Sequence, residues 1–164
     1  MDYLWTPWRF QYVSAPEQPS ADCLFCVASV EKRDRELLVV HRGDSCLVIL
    51  NRFPYNTGHV MIAPHRHFGL LEEASPSERN EMIHLSAECQ RALREGYRAE
   101  GFNMGMNLGK CAGAGVAGHI HMHLLPRWTG DSSFMTVTGE TRVLPEELDV
   151  TFAKLEKFFH HPQS

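Results

Sequence analysis

The chain has 164 residues, 43% of them apolar and 22% charged, with a formal charge of −4. This is the composition of an ordinary globule with enough chain for a sizeable core, most simply one domain over 1–164. The acidic balance removes any overall attraction to nucleic acid, so an anionic ligand has to be held locally by N–H groups, histidines and a few arginines.

In chain order, Met1–Trp5 has neither a basic region nor an apolar run. No later stretch nears the roughly 18 apolar residues of a membrane span. Both point to a cytoplasmic protein with no membrane contact. Trp5, Trp8, Phe10 and Tyr12 make residues 1–20 too aromatic for a solvated tail. That extension is expected to pack on the body, or else to help form a dimer or the rim of a site. Five cysteines are an odd number, which fits a reducing compartment better than a disulfide framework. Two of them form Cys23-Leu24-Phe25-Cys26, a spacing that suits two thiolates on one zinc or simply two reduced thiols on a loop.

A short helix is expected from Cys26 to about Arg33. Leu37–His41 and Cys46–Leu50 are β-like runs around an Arg42-Gly43-Asp44 turn, and His59–Ala63 is a third strand. Ser75-Pro76-Ser77-Glu78 carries an N-cap, a proline at the first helical position and a capping box. Met82, Leu85, Cys89, Leu93 and Tyr97 follow as one buried stripe, which makes Cys89 a core residue, and Gly101 is expected to stop the helix. Phe102–Leu108 is a fourth strand. Pro145-Glu146-Glu147 opens a last helix with Leu148, Phe152, Leu155 and Phe159 on one face. Residues 140–164 then read as that helix and a tail, with His160 and His161 in its frayed end. Strands in two groups about one long helix suit an antiparallel α+β sheet with helices on one face.

The chemistry gathers between the fourth strand and the last helix. His119-Ile120-His121-Met122-His123-Leu124-Leu125 alternates strictly, so three imidazoles should leave one face of a strand while Ile120, Met122 and Leu124 enter a core. Pro126 and Arg127 should end the run, because proline cannot continue an interior ladder. The segment Gly109–Gly118 leads in with four glycines and three alanines. It reads as a tight turn or as a cradle of N–H groups for phosphate, and it lacks the Gly-Lys-Ser/Thr of a P-loop. Beside three histidines the cradle gains weight, with Gly115 and Val116 donating to non-bridging oxygens and Asn107 adding a side-chain donor. A neutral imidazole with one nitrogen pinned is a good nucleophile toward phosphorus. The central histidine, His121, has a neighbour on each side and is best placed for this. A cupin-type metal site would need a glutamate three or four residues after a His-x-His pair, and those positions hold Leu124, Leu125, Arg127 and Trp128.

These motifs resemble the histidine-triad (HIT) family of nucleotide hydrolases and transferases. The likeness takes in Asn51-Arg52-Phe53-Pro54, Gly58-His59-Val60-Met61-Ile62-Ala63-Pro64, the glycine-rich lead-in and Pro126-Arg127, about residues 20 to 150 in all. Trp128–Asp131 through Phe134 is similar to the bacterial branch of diadenosine-tetraphosphate phosphorylases or hydrolases. The resemblance implies a five-stranded antiparallel sheet that pairs with a second copy into a ten-stranded homodimer. It implies His121 as nucleophile and His123 as contact to the transferred phosphate and leaving oxygen. Asn51 would meet the ribose hydroxyls, and His59 would face the phosphates or orient the triad. In zinc-binding members the positions of His67 and His119 join the cysteine pair, which implies a closed structural zinc on Cys23, Cys26, His67 and His119. Many members carry Gln-Ser or Gln-Thr where this chain has Ala114-Gly115, so one side-chain phosphate contact is missing. Two other functions follow from the same family: hydrolysis of nucleoside phosphoramidates, and nucleotide binding without turnover.

Overall fold

The computed structural model describes residues 23–131 and 146–160. The aromatic extension at 1–20, the opening residue Pro145, the tail beyond His160 and the part of the Trp128–Phe134 run past Asp131 lie outside the described residues. Five strands form one antiparallel sheet: β1 (Val39–Arg42), β2 (Cys46–Leu50), β3 (Val60–Pro64), β4 (Gly101–Gly105) and β5 (Met122–Arg127), in the order β1-β2-β3-β5-β4. Two short helices, α1 (Leu24–Val30) and α2 (Asp34–Leu37), precede the sheet; α3 (Pro76–Tyr97) and α4 (Leu148–His160) are the long ones. The α+β class and the five-stranded antiparallel sheet are as the sequence leads one to expect.

Every residue of β2 and β3 is buried, and neither strand alternates, because both faces of the central sheet are covered. The register sets Leu50, Val60 and Leu124 side by side in one row and Ile49, Met61 and His123 in the next. Successive rows point to opposite faces. Leu93 of α3 packs at Pro126, on the Leu124 face, and α3 and α4 cover that side. The histidine face instead carries α1, whose Phe25 lies against His119 and His121. The stripe of α3 is buried as its spacing requires: Met82, Leu85, Cys89 and Leu93 are each at most 3% exposed, and burial pushes the Cys89 thiol up, away from reactivity. Phe152 and Leu155 of α4 join the same core.

The start of α3 follows its sequence signature. Ser75 Oγ accepts from the Glu78 N–H at 3.2 Å, and the Glu78 carboxylate accepts from the Ser75 N–H at 2.7 Å. Glu78 is buried, a costly place for a charge unless it is paired. The Arg66 guanidinium, 2.9 Å away, and then the Ser75 groups hold its carboxyl down at about 2.

Several boundaries differ from the sequence expectation: the first helix is Leu24–Val30 rather than Cys26 to about Arg33, and the third strand is Val60–Pro64 rather than His59–Ala63. Leu37 belongs to α2 rather than to a strand, because Leu38 turns the chain in a left-handed conformation (φ 63°) before β1 begins at Val39. Helix α3 is closed by Arg98 at φ 52°, and Gly101, three residues on, opens β4 instead of stopping the helix. β4 leaves the ladder at Gly105, short of Leu108. Pro126 lies inside β5, paired with Phe102, rather than ending it. β3 stops pairing at Val60 opposite Leu124, so no ladder donor is needed from Pro126 on that side. There Asn56 Nδ2 donates to the Pro126 carbonyl at 3.2 Å.

Candidate active site and metal centre

The triad only half belongs to the sheet. His123 is within β5, whereas His119, at a bend, and His121 come just before it, held where the Ile120 N–H donates to the Phe68 carbonyl at 2.7 Å. Alternation survives outside the ladder, so Ile120 still turns away from the imidazoles. It enters a small cluster with Phe68 and Ala74, while Met122 and Leu124 enter the main core. The imidazoles form two groups of ring contacts, His67 with His119 at 5.0 Å, and His121 with His123 at 5.0 Å and His123 with His59 at 5.1 Å between centroids, and the Phe25 ring touches both groups.

Hydrogen bonds to the main chain set each tautomer. His119 Nε2 donates to the Pro64 carbonyl at 2.9 Å, so Nδ1 carries the lone pair. That nitrogen lies 3.3 Å from Cys23 Sγ and 3.6 Å from Cys26 Sγ, and His67 Nδ1 is 3.2 Å from Cys26 Sγ. The four ligand atoms of Cys23, Cys26, His67 and His119 all fall within 4.8 Å of one another. Two thiols and two imidazole nitrogens at this separation fit a tetrahedral zinc. The carbonyl behind His119 is the kind of outer partner that orients a metal-bound histidine.

His121 Nδ1 donates to the carbonyl of His119 at 2.9 Å, which leaves Nε2 as the lone-pair nitrogen. Burial holds its imidazole below the ordinary histidine range, hence neutral at neutral pH. His59 Nδ1 accepts from the Tyr55 N–H at 3.2 Å, so the His59 proton sits on Nε2 and is donated to His123 Nδ1 at 2.9 Å. The remaining proton of His123 is then on Nε2. Burial, followed by the neighbouring imidazoles, pushes His59 down to about 3 and His123 to about 4. Gly58 makes the placement of His59 feasible. At φ 79° a side chain there would be strained, and its Cβ would lie 2.7 Å from Leu93.

A cleft of about 270 Å³ opens over His121 and His123. It is lined by these two residues with Asn107, Gly113, Gly115 and Val116, and by Asn51 and the apolar Leu24, Leu37, Leu38 and Phe53. The glycine-rich segment serves as both turn and lining. Lys110–Ala112 is a 3-10 turn between Gly109 (φ 87°) and Gly113 (φ 86°), and the stretch after it borders the cleft. Both asparagines also have structural work: Asn51 Oδ1 accepts from the Phe53 N–H at 2.9 Å, and Asn107 Nδ2 donates to the Gly113 carbonyl at 3.4 Å.

Each residue singled out in the sequence thus lines the cleft, backs it as His59 does, or joins the Cys/His cluster. Sequence reasoning missed Phe25, whose ring lies under two of the histidines, Met61 beside His123, and Tyr55. Phe25 carried a weak signal, standing between the two cysteines. Tyr55 carried none, because the group that fixes His59 is its backbone N–H.

A strand of alternating histidines, a glycine-rich loop and a neutral imidazole facing a cleft on a five-stranded antiparallel sheet define a class. The chain belongs to the HIT domain family, whose model matches residues 32–130. It is 36% identical over 157 residues to an AP-4-A phosphorylase of Mycobacterium tuberculosis, covering 88% of this chain and 77% of that one. It is 28% identical over 119 residues to an asymmetrical bis(5'-nucleosyl)-tetraphosphatase of Schizosaccharomyces pombe, covering 73% and 58%. Among solved structures, a zinc-bound histidine triad family protein from Mycobacterium smegmatis superposes with a TM-score of 0.68 at 27% identity, over 86% of this chain and 95% of that one.

Proposed function

We propose that the protein splits the phosphoanhydride of dinucleoside polyphosphates, such as diadenosine tetraphosphate, through a nucleotidyl intermediate on His121. The observation that carries this reading is the tautomer pair over the cleft, a bare Nε2 on His121 beside a protonated Nε2 on His123. The names of the relatives in Mycobacterium tuberculosis and Schizosaccharomyces pombe support the substrate class.

In the first step His121 Nε2 attacks the α-phosphorus, a P–N bond forms, and the P–O bond to the departing nucleotide breaks. The imidazolium that results keeps its Nδ1–H on the His119 carbonyl. His123 Nε2–H meets the departing oxygen, and the N–H groups of Gly115 and Val116 meet the non-bridging oxygens as an oxyanion hole does. The amide nitrogen of Asn51 faces the ribose, and the apolar residues of the cleft take the base. In the second step an acceptor oxygen attacks phosphorus, the P–N bond breaks and the neutral imidazole returns. Zinc on Cys23, Cys26, His67 and His119 would be structural, since four protein donors leave no open position.

Incubation with diadenosine tetraphosphate tests the reading and reports the acceptor. Attack at an α-phosphorus releases ATP in every case; the second product is AMP when water accepts and ADP when inorganic phosphate does. Absence of ATP under both conditions would overturn it, and retention of nucleotide without turnover would favour a binding protein.

We further read 1–164 as a single cytoplasmic domain that works as a homodimer. No helix among the described residues is long and apolar enough to cross a membrane. β4 stands at the end of the sheet with Met104 49% exposed, an edge that a second copy would cover. Light scattering at micromolar concentration should give twice the chain mass, and a monomer would contradict the pairing.

A further inference from the structure

The nucleophile has a neighbour, Phe25, that borders the cleft and also lies against the nucleophile's own ring. The hydrogen bond from His121 Nδ1 to the His119 carbonyl fixes a tautomer, but one bond leaves a ring free to swing about the N···O line. The Phe25 ring lies 4.8 Å from the His121 ring at 31° and 5.1 Å from the His119 ring at 49°. Phe25 is 1% exposed, and it stands in sequence between the two cysteines whose sulfurs face His119 Nδ1. Its helix is tied down independently of those sulfurs. Arg42 donates to the carbonyls of Ala28 at 2.6 Å and Glu31 at 2.7 Å at the far end of α1, and pairs with Asp34 at 2.6 Å.

We propose that Phe25 is a positioning residue: its ring, anchored between the Cys/His cluster and the Arg42 clamp, holds the His121 imidazole in the orientation from which Nε2 attacks. The inference rests on the hydrolase reading for its effect on rate. The physical basis is orientation: a displacement of about an ångström at the reacting atom costs roughly a hundredfold in rate. A flat ring in contact restricts swinging without taking a proton or competing for the lone pair. The Cys/His cluster and the nucleophile then share one wall, so the cluster reaches the chemistry through Phe25 as well as through the His119 carbonyl.

The variant to make is Phe25→Leu, which stays apolar but loses the flat face; Phe25→Met is the substitute should the leucine variant fold poorly. With diadenosine tetraphosphate, kcat should fall on the order of ten- to a hundredfold while KM stays within about threefold. Phe25→Tyr, which keeps the ring, should recover most of the rate. Nitrogen-15 spectra of the histidine side chains give a readout independent of turnover. Wild type should show one sharp set of His121 ring signals with the proton on Nδ1, and Phe25→Leu should keep that tautomer but broaden and shift the ring signals as the imidazole swings about its bond to the His119 carbonyl. A rise in KM with unchanged kcat would make Phe25 a wall for substrate only and overturn the proposal. Lost thermal stability with unchanged His121 ring signals and kcat would make it ordinary core and overturn it equally. Should wild type cleave no polyphosphate, the hydrolase reading fails, and the comparison of His121 ring signals still decides the role of Phe25.

Discussion

His121→Ala is expected to abolish turnover of diadenosine tetraphosphate while nucleotide binding persists. Removing a covalent nucleophile takes away the bond-forming step, and such losses run to roughly a millionfold in kcat. His121→Asn is the more telling variant, because its amide can still donate to the His119 carbonyl and so preserve the local path of the chain without supplying a nucleophilic nitrogen. Binding should survive in both, since the Gly113–Val116 stretch and Asn51 line the cleft independently of His121. His123→Ala removes a hydrogen-bond donor rather than the attacking atom and should cost about a hundred- to a thousandfold. Rapid quenching of wild type with labelled substrate should leave label on the protein as an acid-labile, base-stable adduct, the behaviour of a P–N bond. Wild-type turnover by His121→Ala, or label on another residue, would refute the mechanism.

The second large effect concerns the metal cluster. Protein purified without added metal should carry one zinc per chain, and Cys23→Ser should lose it. The ligands come from the start of α1, the segment after β3 and the approach to β5, so the metal would join three separate parts of the chain. Losing a link of that kind should cost a few kcal/mol, about ten degrees in Tm at roughly 2–4 °C per kcal/mol for a domain this size. Differential scanning calorimetry with matched metal analysis measures both. Zinc below about a tenth of an equivalent in wild type, with all thiols titratable, would remove the proposal.

Much of this was legible in the residues because the signals were periodic or stoichiometric. The capping box at Ser75, the stripe from Met82 to Leu93 and the run Cys46–Leu50 each follow one local rule, and each stands where that rule puts it. The coming together of Cys23, Cys26, His67 and His119 was legible only through the family resemblance, since nothing local links Cys26 to His67 across 41 residues. Two of the boundaries that differed turn on left-handed residues. Leu38 and Arg98 close helices at positive φ without being glycine, and composition gives no warning of that. Pro126 misled because the rule against proline applies to a strand flanked along its whole length, and β3 ends before reaching it. Tyr55 was illegible in principle, since any residue but proline supplies an amide hydrogen.

The fixed proton inventory of the site has a consequence for how this enzyme could change. Pro64 O, His119 O and Tyr55 N, the three groups that decide where the imidazole hydrogens reside, are all peptide atoms. Point substitutions at positions 55 and 64 alter what hangs from the chain and leave its path in place. A one-residue insertion or deletion between 55 and 59, or between 119 and 121, would shift that path and swap donor for acceptor. Tolerance here should therefore divide by type of genetic lesion: broad for missense changes at positions 55 and 64, and narrow for changes of loop length.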